Sequence, residues 1–248
     1  MDLTLWTIVI AATALAIGGL SKGILGVGLP MVATPILSTF APIPDVVAVM
    51  YFPIFATNFY QALAGGHFTA TFKRFWPMLL VVLAATPVGT FSLVKLSAGT
   101  VSVLLGIAVA VFAGASLARP SLRVSPGWER PISLGAGVIG GFFGGMVLIG
   151  GPPVIMMMVA LHLKKEEFIG AMGLVYLTML IPAGFSLVGF GVLTTAHVVP
   201  GLISLIPVGA ALFLGQWVRG RIDEERFRKV LLISMVLIGL NLFRRGLF

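Results

Sequence analysis

The lengths of the apolar runs limit this chain more than any other feature. They cover roughly residues 3–20, 24–40, 46–66, 75–94, 99–118, 131–149, 152–163, 168–190, 196–218 and 230–243. A helix needs about 20 such residues to cross a bilayer, within a range of roughly 17 to 25. Segments 46–66, 75–94, 99–118, 168–190 and 196–218 meet that length. Segments 3–20 and 24–40 are borderline, 230–243 is short, and 152–163 is too short to cross unaided. The spaces between runs cannot supply a water-facing surface. Only 10% of the residues are charged and 58% are hydrophobic, with a mean hydropathy of +1.11, whereas a soluble domain carries about 25% charged residues. The chain therefore reads as an all-α polytopic membrane protein with the lipid bilayer as its first partner. A barrel is excluded because its strands would alternate apolar and polar over roughly ten residues.

The cysteine count is zero, which excludes disulfides, thiolate metal sites and cysteine redox chemistry. The start, MDLTLWTIVI, is acidic where a signal peptide is basic, so it reads as a retained first helix. The net charge of +8 is better explained by cations in loops than by a nucleic-acid partner.

Residues 18–30, GGLSKGILGVGLP, break the first apolar stretch with five glycines, Lys22 and Pro30. The same spacing returns as GGFFGGMVLIGGP from Gly140. Gly18, Gly19, Gly23, Gly28 and Pro30 fall on Gly140, Gly141, Gly145, Gly150 and Pro152 at a constant offset of 122, which also carries Asp45 onto Glu167. PVGT at Pro87 and PVGA at Pro207 match at an offset of 120. Two membrane repeats are expected, 1–118 and 131–248, joined by a polar cytoplasmic linker, 119–130. Each would be a glycine-interrupted helix hairpin, re-entrant or broken, followed by three transmembrane helices. Transporters are often built this way.

If each hairpin enters and leaves on one side, twelve of the 16 Lys and Arg residues share a side, among them Lys73, Arg74, Arg130, Lys165, Arg219 and Arg221. Lys95, Arg244 and Arg245 fall opposite, and Lys22 at a tip. The positive-inside rule makes the crowded side cytoplasmic. Asp45 is then outside and Glu167 inside, so the two repeats are inverted. Trp76, Trp128 and Trp217 fall near inner boundaries and Trp6 near the outer one, as interfacial anchors should.

Irregular backbone at membrane depth is tolerated only in a protein interior or beside a wet cavity. Pro30 and Pro152 suit the first turn of a following helix, whose free amides and dipole attract anions. Two such ends, one per repeat, would form an anion site near the midplane. The competing reading is that the glycines only permit close helix packing. Lys22 has two readings as well: a functional intramembrane cation, or an interfacial lysine that snorkels to water. Tyr51, Asn58 and Gln61 share one face of segment 46–66, either lining a site or bonding helix to helix. Tyr176 and Thr178 are the thinner counterpart in the second repeat. Asp45 and Glu167 look like helix N-caps, and His67, His162 and His197 like residues at segment ends. No carboxylate lies deep in any span, so a familiar proton relay is missing. The sequence leaves the coupling ion, proton or sodium, and the oligomeric state undetermined.

The two glycine motifs, GGLSKGILGVGLPMVATPIL and GGFFGGMVLIGGPPVIMMMVAL, are similar to those of the sulfite exporter TauE/SafE family of bacterial membrane permeases, and the duplicated layout covers essentially the whole chain. The second motif, with GGPP, matches more closely. The first has Leu29 and Pro30 where such proteins often carry further glycines, which would narrow its loop. The resemblance implies a multi-pass protein of the bacterial inner membrane that transports sulfite, a short organosulfonate or a related small anion. It implies neither a cofactor nor a catalytic or metal site.

The expected function is a secondary transporter working by alternating access. The candidate substrate-binding residues are Ser21, Lys22, Gly23, Gly26, Gly28, Asn58 and Gln61 in the first repeat, with Gly144, Gly145, Gly150, Gly151 and Tyr176 in the second. A permease for another small organic anion, such as a carboxylate, and a non-transporting membrane scaffold are the alternatives. An intramembrane enzyme finds no support, since no nucleophile–base pair or ligand cluster stands out.

Overall fold

A computed structural model describes residues 5–64, 66–97, 99, 100, 103, 107, 123–223, 225–227, 229, 230 and 233. The predicted segments 99–118 and 230–243, and the start of the linker, lie almost wholly outside the described residues. What is described is helical: α1 Leu5–Leu25, α2 Leu29–Leu37, α3 Ile43–Ala64, α4 Phe68–Lys95, α5 Pro126–Val147, α6 Gly151–Ala160, α7 Lys165–Gly189 and α8 Val198–Arg219. A short 3-10 turn, Thr195–His197, leads into α8. Five helices are long and apolar enough to cross a membrane: α1, α3, α4, α7, and α8 with its leading turn. The protein is a multi-pass membrane protein.

The two short helices set the architecture. α2 has 9 residues and α6 has 10, about 14 and 15 Å at 1.5 Å per residue. Neither crosses a hydrocarbon core of about 30 Å alone. The spacing of 122 persists in the helix boundaries: α1 ends at Leu25 and α5 at Val147, α2 opens at Leu29 and α6 at Gly151, α3 opens at Ile43 and α7 at Lys165.

Several expectations shift. The first break falls at residues 26–28, not across the whole glycine stretch, because α1 runs unbroken through Gly18, Gly19 and Gly23 to Leu25. Helical glycine costs about 1 kcal/mol against alanine, and here it offsets that cost by close packing. A Cβ on Gly19 would strike the Val208 backbone, and one on Gly23 the Leu212 carbonyl of α8. In the second half, Leu148 and not a glycine takes the left-handed conformation, with φ 57°. α4 begins seven residues early and carries Lys73 and Arg74 on its first turns. α5 begins inside the expected linker, with Pro126 in its first turn, where a missing amide hydrogen costs nothing. Asp45 and Glu167 are third residues of their helices and not caps. Glu167 reaches back to accept the Lys164 N–H at 3.4 Å.

α1 lies along α8, α5 along α4, and α3 along α7. The contacts come in pairs. Gly19 meets Val208 and Gly141 meets Val82. Gly23 meets Leu212 and Gly145 meets Thr86. Gly215 meets Leu20 and Gly89 meets Phe142. In each pair the residues on α1 and α5 differ by 122, and those on α4 and α8 differ by 126. The contacts on α4 and α8 therefore follow 126 rather than the 120 suggested by PVGT and PVGA. Between α3 and α7, Tyr51 meets Gly184 and Gly173 meets Ala62, which are the same contact with the partners exchanged at an offset of 122.

Ion pairs join helix ends: Arg74 to Glu129 at 2.6 Å, Arg219 to Glu166 at 3.2 Å, and His197 to Asp45 at 3.5 Å. Each joins residues that the charge pattern assigns to one side of the membrane. All four tryptophans, Trp6, Trp76, Trp128 and Trp217, are exposed.

Candidate functional site

Three helices converge on Lys22. It sits in the last turn of α1, where unsatisfied carbonyls and the negative end of the helix dipole favour a cation. Its Nζ donates to Asn58 Oδ1 of α3 at 2.8 Å and, at longer range, to the Gly26 carbonyl at 3.4 Å. On its other side the ammonium lies 5.6 Å from the ring centroid of Tyr176 on α7, a cation–π contact. Lys22, Asn58, Gln61 and Tyr176 are all at most 3% exposed. Snorkelling to water is thereby ruled out for Lys22 in this conformation.

The local sequence of α3 prepares Asn58 for this contact. Its Nδ2 donates to the Ile54 carbonyl at 2.7 Å, which turns Oδ1 toward Lys22. Thr57 donates to the Pro53 carbonyl at 2.6 Å, one turn after the ladder hydrogen bond that Pro53 removes. Gln61 Nε2 donates to the Lys22 carbonyl at 3.3 Å, and its buried Oε1 has no hydrogen-bond partner. Tyr51 departs from the group and donates to the Leu180 carbonyl at 3.2 Å. The polar stripe on α3 thus bonds helix to helix: Tyr51 reaches α7, and Asn58 and Gln61 reach Lys22 of α1.

Of the loop residues of the first half, Gly26 touches this cluster through its carbonyl. Gly26 (φ 77°) and Gly28 (φ 110°) occupy left-handed conformations that other residues rarely adopt. A Cβ on Gly26 would press into Ile169 of α7, and one on Gly28 into the Ser21 hydroxyl. Ser21 therefore faces Gly28 across the hairpin. The carbonyl of Gly23 accepts Nη1 of Arg219 at 2.8 Å, and that guanidinium also pairs with Glu166. Arg219 was foreseen only as one of many interfacial cations. Its role in tying α8 to the end of α1 has no local sequence signal.

The second-half residues divide. Tyr176 joins the Lys22 cluster. Gly144 and Gly150 instead face the sulfur of Met179, and Gly145 packs on the Thr86 backbone while accepting the Thr90 hydroxyl at 3.0 Å. Gly151 opens α6. At the position equivalent to Lys22 there is only Gly144, and Met179 fills the space beside it. The helix ends differ as well. In its first three residues α2 offers the amides of Leu29 and Met31, with Pro30 silent. The corresponding residues of α6 are Gly151, Pro152 and Pro153, so a single amide remains. The two helix starts therefore differ, as the asymmetry of Lys22 against Gly144 already implies: only the first half combines a lysine with two non-proline residues among the first three of its short helix.

The family model described as "Sulfite exporter TauE/SafE" matches residues 10–242. The chain belongs to the sulfite exporter TauE/SafE family. Members of this family are membrane transporters of sulfite-type anions and not enzymes. No curated protein and no solved structure shows a significant match to the chain. For a TauE/SafE transporter, a buried lysine flanked by polar groups is chemically apt, since an ammonium and amide donors suit an oxyanion.

Proposed function

We propose that this chain is a secondary transporter for a small oxyanion, such as sulfite or a short organosulfonate, bound at Lys22 between two inverted repeats. One observation carries the reading. The buried Lys22 ammonium touches Asn58 of the first repeat and Tyr176 of the second, and no carboxylate pairs with it among the described residues. An unpaired buried charge is costly, and a bound anion would supply the missing countercharge. Gln61 and the first amides of α2 are the proposed further contacts. Among the second-half glycines, Gly145 is proposed as a packing surface for α5 on α4, and Gly144 and Gly150 as room for Met179.

The inverted arrangement is supported by the reciprocal contacts of α1 with α8 and α5 with α4, and by the exchanged pairs Tyr51–Gly184 and Gly173–Ala62. The levels of these pairs centre the crossing of α3 and α7 between Ala56 and Thr57, within one turn of Asn58. Alternating access is the proposed mode, and the burial of Lys22 supports it, since an anion reaches it only if the helices around it part. The bacterial inner membrane is the proposed location, in keeping with long apolar helices.

The test is flux into and out of proteoliposomes with labelled sulfite, set against sulfoacetate, isethionate, taurine and short carboxylates. Sulfite or a sulfonate should be carried and Lys22→Met should abolish most of the flux. Full flux in Lys22→Met, or carriage of carboxylates alone, would overturn the reading.

A further inference from the structure

A surface recess of about 290 Å³ lies between the starts of α4 and α5, lined by Arg74, Trp76, Pro77, Glu129, Arg130 and Ser133. None of its lining residues belongs to the Lys22 cluster. Its two arginines are not alike. Arg74 is held in a two-pronged pair with Glu129, at 2.6 and 3.0 Å, so its charge is largely spent. Arg130 has no ion-pair partner among the described residues. The recess therefore holds one uncompensated guanidinium, on the side of the membrane where the cations gather. Beside it the Ser133 hydroxyl donates to the Arg130 carbonyl at 2.8 Å.

The surroundings indicate what the occupant is attached to. Trp76 heads an exposed apolar stripe on α4 with Leu80 and Leu83, and Trp128 heads another on α5 with Ile132 and Ile139. The spacings of three, four and seven keep each stripe on one helical face. The α4 stripe continues from the recess through Trp76, whereas the α5 stripe lies on the face turned away from α4, opposite Gly137, Gly141 and Gly145. A soluble anion would use only the recess. A lipid would use the recess and the α4 stripe, with Trp76 at the headgroup level.

We propose that this recess binds the phosphate of an anionic glycerophospholipid of the cytoplasmic leaflet, with its acyl chains along α4. Arg130 is the charge that selects an anionic headgroup, and the indole of Trp76 marks its depth. Basic recesses between membrane helices on the cytoplasmic side suit this chemistry.

The test uses the full chain in detergent, titrated with phosphatidylglycerol, phosphatidylcholine or soluble glycerol 3-phosphate, and read by thermal shift and native mass spectrometry. Phosphatidylglycerol should stabilise the protein beyond phosphatidylcholine, and glycerol 3-phosphate should do nothing at millimolar concentration. Arg130→Gln should weaken phosphatidylglycerol binding about fivefold to tenfold without changing the response to phosphatidylcholine. Lys73→Gln, one residue outside the lining, should bind as the wild type does. The proposal is overturned if Arg130→Gln keeps the preference, if Lys73→Gln loses it equally, or if glycerol 3-phosphate alone reproduces the shift. None of these results depends on which solute the protein carries.

Discussion

Nζ of Lys22 stands 2.8 Å from Oδ1 of Asn58, with both residues at most 2% exposed. The pair sets an amine, cationic when protonated, against a neutral dipole. It lowers the cost of burying the ammonium without cancelling the charge, and so leaves an attraction for an anion.

Removing that charge is the first prediction. Lys22→Met is close in volume and should leave the helices packed. A charge-assisted hydrogen bond contributes about 1.5–3 kcal/mol, so anion affinity should fall about tenfold to a hundredfold. Binding titration and flux in proteoliposomes measure it. Wild-type affinity in a folded Lys22→Met protein would mean that the anion binds elsewhere.

Asn58→Asp tests the same pair from the other side. The new carboxylate would sit against the ammonium and take the place of the transported anion. The expected result is a folded protein whose sulfite flux drops by at least tenfold, from the same charge-assisted contact. Asn58→Gln, which keeps the dipole, should retain more flux than Asn58→Asp. The reverse order would refute the role given to this charge.

Helical glycines should divide by what a methyl group would meet. On Gly145 it would land on the Thr86 carbonyl, forcing α5 from α4, whereas on Gly209 of α8 it meets nothing within 4 Å. Gly145→Ala should cost about 1–3 kcal/mol, and Gly209→Ala should be neutral or stabilising by up to about 1 kcal/mol. Thermal unfolding in detergent compares them. Equal effects would show that the close approach of α4 and α5 is not a source of stability.

The absence of cysteine makes the topology directly measurable. A single Ser97→Cys should react with a membrane-impermeant maleimide from outside intact cells. A single Arg221→Cys should react only after the cells are opened. Labelling of both from the same side would contradict the positive-inside assignment and the inversion built on it.

Much of the scaffold was readable from residue order alone. Apolar runs of span length dictate helices in lipid, because an unpaired backbone amide there has no water to satisfy it. The duplicated glycine motif located both breaks to within a few residues, and the offset of 122 reappears in three pairs of helix boundaries. The stripe of Tyr51, Asn58 and Gln61 was visible for the same reason, since helical period is a local property.

What residue order could not reveal depends on which helices touch. Gly18, Gly19 and Gly23 resemble helix breakers in isolation, yet α1 runs through them because their missing side chains admit α2 and α8. Whether Lys22 faced water or the interior was undetermined until α3 and α7 closed over it. Met179 beside Gly144, and Arg219 on the Gly23 carbonyl, join residues 35 and 196 positions apart. Such pairings are settled by packing, which selects among side chains that local sequence leaves equally free.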